Sequence, residues 1–295
     1  MSVLCASDLD RTLVYSPAAI SRWGPAGPTV AVERYRDADA SFVTVTAARH
    51  LEALGGALVP VTTRTVAQAA RIRLPGPAPR WSVAANGGVL LEDGVPDPSW
   101  AARVHERLRD VAGLPQVADH VRAVCRPEWT SAVRVAEDLF VYAVVDPERL
   151  PAGFVAEQRA DASGCGWTLS LQGRKLYWVP APLTKSAAVA EIARRHDVGR
   201  VIAAGDSLLD LDLLAAADEG LLARHGELAT AGWTAPHVVR TQASGIAAGE
   251  EIAAWFVRRL AESPANDQVT LITRALGSQP TRRPSARPDE GDPPT

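Results

Sequence analysis

The sequence predicts an α/β fold, a doubly wound Rossmann-like parallel sheet core with an inserted α+β domain, on three observations. Short apolar runs at 3–7, 57–61 and 200–204 each end in polar residues and lie next to helix-forming stretches, the rhythm of βαβ units. From about residue 98 to 179 that rhythm gives way to strand-like runs without regular crossovers, as in an α+β insertion. At 295 residues the chain can bury one large core or two smaller ones.

The first strand, 3–7, delivers Asp8 and Asp10 at its carboxyl end. After Pro and Gly punctuation, an alternating stretch at 30–35 pairs with 41–45 as a small hairpin, either a flap near the acid pair or a surface decoration. Helix formers fill 47–54 until Gly55-Gly56 stop them, and 57–61 is a short buried strand running into Thr62-Thr63-Arg64. Residues 66–74 form the return helix before Pro75, and 80–94 is a strand with a turn at Asn86-Gly87-Gly88. The insertion begins with an amphipathic helix at 100–111. It continues with strands at 131–135 and 139–145, a helix at 154–160 and a last strand pair at 167–171 and 175–179. Helix 185–196, buried strand 200–204 and helix 210–217 restore the βαβ rhythm, and two helices follow near 247–261 and 267–276. The tail at 277–295, dense in Pro and charge, has nothing to bury and is expected to be disordered. The expected division is a core of 1–97 and 181–276 with the insertion at 98–180.

Composition narrows the function classes. A hydrophobic share of 47% with 22% charged residues is ordinary for a globular enzyme, and a net charge of -3 gives no reason to expect nucleic acid or an anionic membrane as partner. No apolar run approaches the roughly 20 residues that span a bilayer, and the N-terminus lacks a signal-peptide pattern, so a cytoplasmic location is the expectation. Cys5, Cys125 and Cys165 are few, odd in number and far apart, which argues against a disulfide framework or a zinc site. The six histidines show no ligand spacing.

Chemistry concentrates at three strand ends. Asp8 and Asp10 share a face of an extended segment, and two carboxylates about 4 Å apart repel by roughly 4 kcal/mol at an effective dielectric near 20. Thr62 ends the second strand, and Asp206 and Asp210 follow the third in "AAGDSLLDLDLL". In an open parallel sheet these ends converge on one crevice. Lys185, at the start of the helix before the last strand, adds a single cation; the set remains net negative, which favours a hard divalent cation, Mg²⁺ being the economical choice. Asp212 reads as an ordinary acid of an exposed helical face.

The stretch "DLDRTL" is similar to the first motif, DxDx[TV], of the haloacid dehalogenase-like (HAD) hydrolase superfamily. The threonine of "VPVTT", the lysine of "LTKSAAV" and "GDSLLD" resemble its other three motifs, in the same order, over residues 1 to about 97 and 181 to 245. The long insertion and the "NGG" turn resemble the subfamily with a C2-type cap, which includes Cof-like and sucrose-phosphate-phosphatase-like proteins. Arg11 stands where Cof-like members most often have glycine, and the stretch from Thr12 to Thr62 is longer than usual there.

The resemblance implies an Mg²⁺-dependent phosphatase working through an aspartyl-phosphate. Asp8 would be the nucleophile and Asp10 the acid and base, with a pKa near the working pH. Asp206, the Asp8 carboxylate and the Asp10 backbone carbonyl would hold the metal. Thr62, with Thr63 as its neighbour able to serve instead, and Lys185 would bind the phosphoryl group, and Asp210 would position Lys185 or a metal-bound water. Arg11, Thr63, Arg64, Asn86, Arg174 and Lys175 are the candidates for substrate contact. The expected substrate is a small phosphorylated metabolite such as a sugar or polyol phosphate, bound under the cap. A phosphomutase of the same fold and a non-catalytic ligand-binding module are the competing readings, and the oligomeric state is open.

Overall fold

The computed structural model describes residues 2–262; the helix expected at 267–276 and the tail at 277–295 lie outside the described residues. The chain opens with β1 (Val3–Ser7), a tight turn, and α1 (Pro17–Trp23), capped by Ser16. The hairpin β2 (Thr29–Tyr35) and β3 (Ala38–Thr44) leads into α2 (Val45–Leu54), β4 (Leu58–Pro60) and the short α3 (Val66–Ala69). A small sheet of β5 (Trp81–Ala84), β6 (Val89–Glu92) and β7 (Val95–Pro96) follows. Then come α4 (Pro98–Arg107), α5 (Leu114–Val124), β8 (Thr130–Ala136), β9 (Phe140–Val145), α6 (Phe154–Gly164), β10 (Trp167–Gln172) and β11 (Lys175–Pro180). The chain returns through α7 (Lys185–Arg195), β12 (Arg200–Gly205), α8 (Leu211–Ala216), β13 (Glu219–Leu222), α9 (Glu227–Thr230), β14 (Val238–Arg240) and α10 (Ile246–Ala261).

Five parallel strands form the core sheet in the order β4-β1-β12-β13-β14, with Cys5 opposite Ile202 on one side and Leu58 on the other. Both faces are covered, which is why these strands read as unbroken apolar runs rather than alternations. On one face Cys5, Ile202 and Leu221 pack with Leu51 of α2 and Ile252 and Phe256 of α10; on the other Leu4, Ala6 and Ala203 pack with Val189 and Ile192 of α7 and Leu213 of α8. The chain steps from β1 outward to β4, then back to β12 on β1's other side. That reversal opens a crevice at the carboxyl end of β1, the place where an open α/β sheet presents a ligand site.

The second large sheet, β10-β11-β9-β8, is antiparallel. Side chains alternate along β11, so Lys175 and Tyr177 share one face, with Tyr177 against Tyr142 at 5.7 Å between ring centroids, while Leu176 and Trp178 point to the other. The face bearing Lys175 and Tyr177 is turned toward the core: Gln68 of α3 donates to the Tyr142 hydroxyl at 3.2 Å, and Gln172 donates to Ser207 at 2.9 Å.

Several elements differ from expectation for identifiable reasons. The helix expected at 66–74 ends at Ala69, because Ile72 bridges to Glu33 and the Arg73 amide donates to the Val32 carbonyl at 2.7 Å. The helix expected to reach 111 stops at Arg107, and α5 is an additional helix. Its buried Val117, Ala118 and Val121 carry the helical period, and Pro115 sits in its first turn. The strands β13 and β14 are too short to have shown a period, and α1 lies within the Pro and Gly punctuation.

Candidate active site

The strand β1 ends at Asp8, whose amide donates to the Ala204 carbonyl of β12 at 3.0 Å. The chain then coils so tightly that the Leu9 carbonyl accepts from the amides of Thr12, Leu13 and Val14 at 3.2, 2.9 and 2.8 Å. This turn puts Arg11 at φ 66, a left-handed conformation that an arginine adopts only under constraint. The constraint comes from two side chains: the Tyr15 hydroxyl and His225 Nε2 each donate to the Arg11 carbonyl at 2.9 Å. The tautomer is settled by Nδ1, which accepts from the Gly245 amide at 3.1 Å. Burial pushes His225 down to about 4, so the ring stays neutral and keeps that proton arrangement.

Lys185, the first residue of α7, is completely buried, and its Nζ donates to Asp8 Oδ1 at 2.6 Å and to Asp210 Oδ1 at 2.5 Å. The opposite edge of Asp210, Oδ2, accepts from the amides of Asp206 and Ser207 at 3.0 and 2.8 Å and from the Ser207 hydroxyl at 2.9 Å. Carboxylate oxygens of Asp8, Asp206 and Asp210 lie within 4.8 Å of one another. Asp210 is already saturated by four donors, so Asp8 and Asp206 are the carboxylates left to hold a cation. Among the described residues no backbone amide donates to the Asp10 carbonyl, which leaves that oxygen free as well.

The electrostatics fit a divalent ion. Three buried carboxylates against one lysine leave two negative charges, and among the described residues the other cation paired with Asp206 is Arg11, whose Nε stands 3.7 Å from Oδ2. Burial pushes Asp8 up to about 7 in spite of Lys185, and it raises Asp206 well above the carboxylate range in spite of Arg11. For Lys185 burial favours the neutral form, but Asp210 and Asp8 outweigh it and hold the ammonium charged.

Asp10 faces elsewhere. Its carboxylate is gripped by Arg64 in a two-point fork, Nε to Oδ2 at 2.7 Å and Nη2 to Oδ1 at 2.8 Å. Burial opposes the charge, but the guanidinium wins and holds Asp10 at about 2, far from the near-neutral value expected of an acid and base. No sequence pattern linked Arg64 to Asp10, because the contact exists only once β1 and β4 lie side by side.

The remaining expected residues divide. Thr62 is buried at the end of β4, and its Oγ1 accepts from the Arg64 amide at 3.1 Å, leaving its proton free to be donated. Thr63 is buried next to Thr62, and Lys175 lies on the core-facing side of β11, over the Tyr142 ring at 5.7 Å from its centroid. Arg174 is exposed in the β10–β11 turn. Arg11 lies over the Trp23 ring at 5.0 Å from its centroid. Arg64 is taken up by Asp10 and by Glu33, at 2.9 Å from Nη1, rather than standing free for a substrate. Asn86 is buried and donates to the Leu183 carbonyl at 2.8 Å; it braces the loop that precedes Lys185. Gly87 lets that brace close up, since at its φ of 96 a Cβ would lie 2.0 Å from the Thr184 carbonyl oxygen.

Sequence reading passed over two contributors. Asp212, expected to be a surface acid, accepts from the Ser186 amide at 2.7 Å and satisfies the first turn of α7. Glu33 is buried behind Arg64, and nothing in its local pattern marks it. The Ser207–Asp210 capping box, by contrast, was present in the spacing of "SLLD".

Known structures share this architecture. The sucrose-phosphatase of Synechocystis sp. PCC6803, solved in complex with sucrose and phosphate, aligns over 87% of this chain and 98% of its own, with a TM-score of 0.60 and 16% identity. The protein 0175 of Thermoplasma acidophilum aligns over the same shares with a TM-score of 0.55 and 15% identity. No protein-family model matches the chain, and no curated protein does. The fold is therefore that of the α/β proteins with a reversal-point crevice and an inserted second sheet. Within that class, it is the fold shared with the Synechocystis sucrose-phosphatase.

Proposed function

We propose that this protein is an Mg²⁺-dependent phosphatase that hydrolyses a phosphomonoester of a small sugar-like or polyol-like metabolite through an aspartyl-phosphate on Asp8. The observation that carries the reading is the buried cluster in which Lys185 joins Asp8 to Asp210 at 2.6 and 2.5 Å with Asp206 beside them, at the carboxyl ends of parallel strands. Asp8, Asp206 and the Asp10 carbonyl would hold the ion, which when bound neutralises the carboxylates and the phosphoryl oxygens.

Asp8 Oδ attacks phosphorus, with Lys185 and the Thr62 hydroxyl placing positive charge and a hydrogen bond beside the phosphoryl group. Asp10 protonates the leaving oxygen and later deprotonates water at the same position. The carboxylate form that Arg64 favours suits the second role, and an arriving phosphate dianion, as a like charge, raises its proton affinity for the first. Residues 98–180 act as the cap over a core of 1–97 and 181–276, supported by Lys175, Tyr177 and Gln172 facing the site. A neighbour solved with sucrose and phosphate favours a sugar phosphate over a macromolecular substrate.

The test is a panel of phosphorylated metabolites assayed for phosphate release with Mg²⁺, with EDTA, and with Asp8→Asn. Release is expected to need the metal and to fall by about 10³-fold or more in the variant. Wild-type turnover in Asp8→Asn would remove the assignment of the nucleophile, and an isomerised sugar phosphate without free phosphate would make the protein a mutase.

A further inference from the structure

We infer that Glu33, carried on the β2–β3 hairpin, is a positioning residue for Asp10, acting through Arg64; this rests on the phosphatase reading above. Apart from Val32 and Glu33 the strand β2 is exposed, at Thr29, Val30, Ala31, Arg34 and Tyr35. Regular alternation would bury every second residue, yet Val32 and Glu33 are both buried in sequence. The cause is an irregular register on either side of Glu33, which faces Ser41 while Ala31 faces Phe42 and Arg34 faces Asp39. Such a bulge re-aims a side chain, and here it turns a carboxylate inward. The turned backbone is pinned by the Arg73 amide on the Val32 carbonyl at 2.7 Å.

Once inside, Glu33 is fully engaged. Its Oε2 accepts from the Ser41 hydroxyl at 2.6 Å, its Oε1 accepts from Arg71 Nε at 3.0 Å, and the same Oε1 forms an ion pair with Arg64 Nη1 at 2.9 Å. The Arg64 side chain is 8% exposed and that of Glu33 4%, whereas that of Asp10 is 36% exposed and open to the crevice. All three guanidinium nitrogens are thus engaged: Nε and Nη2 grip Asp10, Nη2 also reaches the Ser41 hydroxyl of the hairpin at 3.5 Å, and Nη1 pairs with Glu33. A planar fork held at one corner by a buried carboxylate cannot pivot, and the carboxylate at its other edge inherits that fixed plane. Without Glu33 the Arg64–Asp10 pair can rotate as a unit. A displacement of about 1 Å in an acid and base can cost about 10²-fold in rate.

A hairpin tie that merely stabilises the fold would affect all substrates alike. A positioning role would not, because only a poor leaving group needs a well-placed proton donor. The experiment measures kcat/KM with Mg²⁺ for the full chain and for Glu33→Gln on two esters: 2,4-dinitrophenyl phosphate, whose phenolate leaves without a proton, and the best sugar phosphate of the wild type. Because kcat/KM reports steps up to departure of the alcohol, it isolates the protonation. The variant is expected to lose tenfold or more on the sugar phosphate and less than twofold on the dinitrophenyl ester. Glu33→Asp, which keeps the charge and so folds even if Glu33→Gln does not, is expected to show the same split to a smaller degree. Equal losses on both esters, or none on either, would overturn the inference and leave the phosphatase reading intact. A wild-type protein that releases phosphate from neither ester would overturn both.

Discussion

At the scale of single residues, the site is governed by a buried ammonium that has no water to fall back on. Lys185 is completely buried between two carboxylates, so replacing it leaves negative charge in a place that cannot solvate it. Lys185→Ala is expected to lower stability by about 3 kcal/mol in EDTA, measured by urea denaturation, because Asp8 and Asp210 are left uncompensated. With saturating Mg²⁺ the loss is expected to shrink, since the ion supplies charge to the same carboxylates. Equal losses in both buffers would show that no cation binds there. The residues that meet here are legible in the sequence as types and positions: Asp8, Thr62, Asp206 and Asp210 follow strand ends and Lys185 opens a helix. Their division of labour is not. Asp210 accepts four hydrogen bonds and so serves Lys185, and Arg64 clamps Asp10; neither follows from a one-dimensional pattern.

At the scale of elements, the groups of the candidate site sit on short pieces of chain that other pieces brace. The helix α7 presents Lys185 because its first turn is held by Asp212 and because the Asn86-Gly87 turn presses on the loop before it. Gly87→Ala would require both a left-handed alanine and a retreat of the Thr184 carbonyl. It is expected to cost about 2 kcal/mol in urea denaturation and to lower kcat more than KM, because Lys185 is displaced from Asp8. A variant with unchanged kcat and stability would mean that the turn does not set the lysine. The core strands and the β5–β6 hairpin could be read from their runs and turn residues, whereas the end of α3 could not. What stops α3 is the hairpin, which docks through Val32 and Glu33 on Ile72 and Arg73, a contact between segments some forty positions apart.

For the molecule as a whole, the seam between α7 and α4 carries ion pairs that respond to acid. Glu191 of α7 accepts from Arg194 and Arg195 on its own helix and from Arg103 of α4 at 2.7 Å. Arg195 also pairs with Asp97, the N-cap of α4. Its arginines, Arg194 foremost, hold the Glu191 carboxyl well below the ordinary glutamate range. A carboxylate held lower in the folded state than in the unfolded chain adds stability above the unfolded value, about 4.3, and that contribution fades as pH falls below it. Glu191→Gln is expected to be less stable by about 2 kcal/mol at neutral pH. Its stability should fall less steeply than that of the wild type between about pH 5 and about pH 3, followed by denaturant titration at each pH. Parallel curves for the two proteins would place the acid sensitivity elsewhere.

The sequence by itself determined the fold class, the insertion and the carboxylates that meet at the end of β1, because apolar runs that are buried on both faces and polar strand ends are written locally. The tertiary structure alone decided which charge answers which. A bulge turned Glu33 inward, β4 laid Arg64 across Asp10, and α7 drove Lys185 between Asp8 and Asp210. Those pairings depend on distance in space, and with solvent excluded a few ångströms decide whether two charges bind or repel.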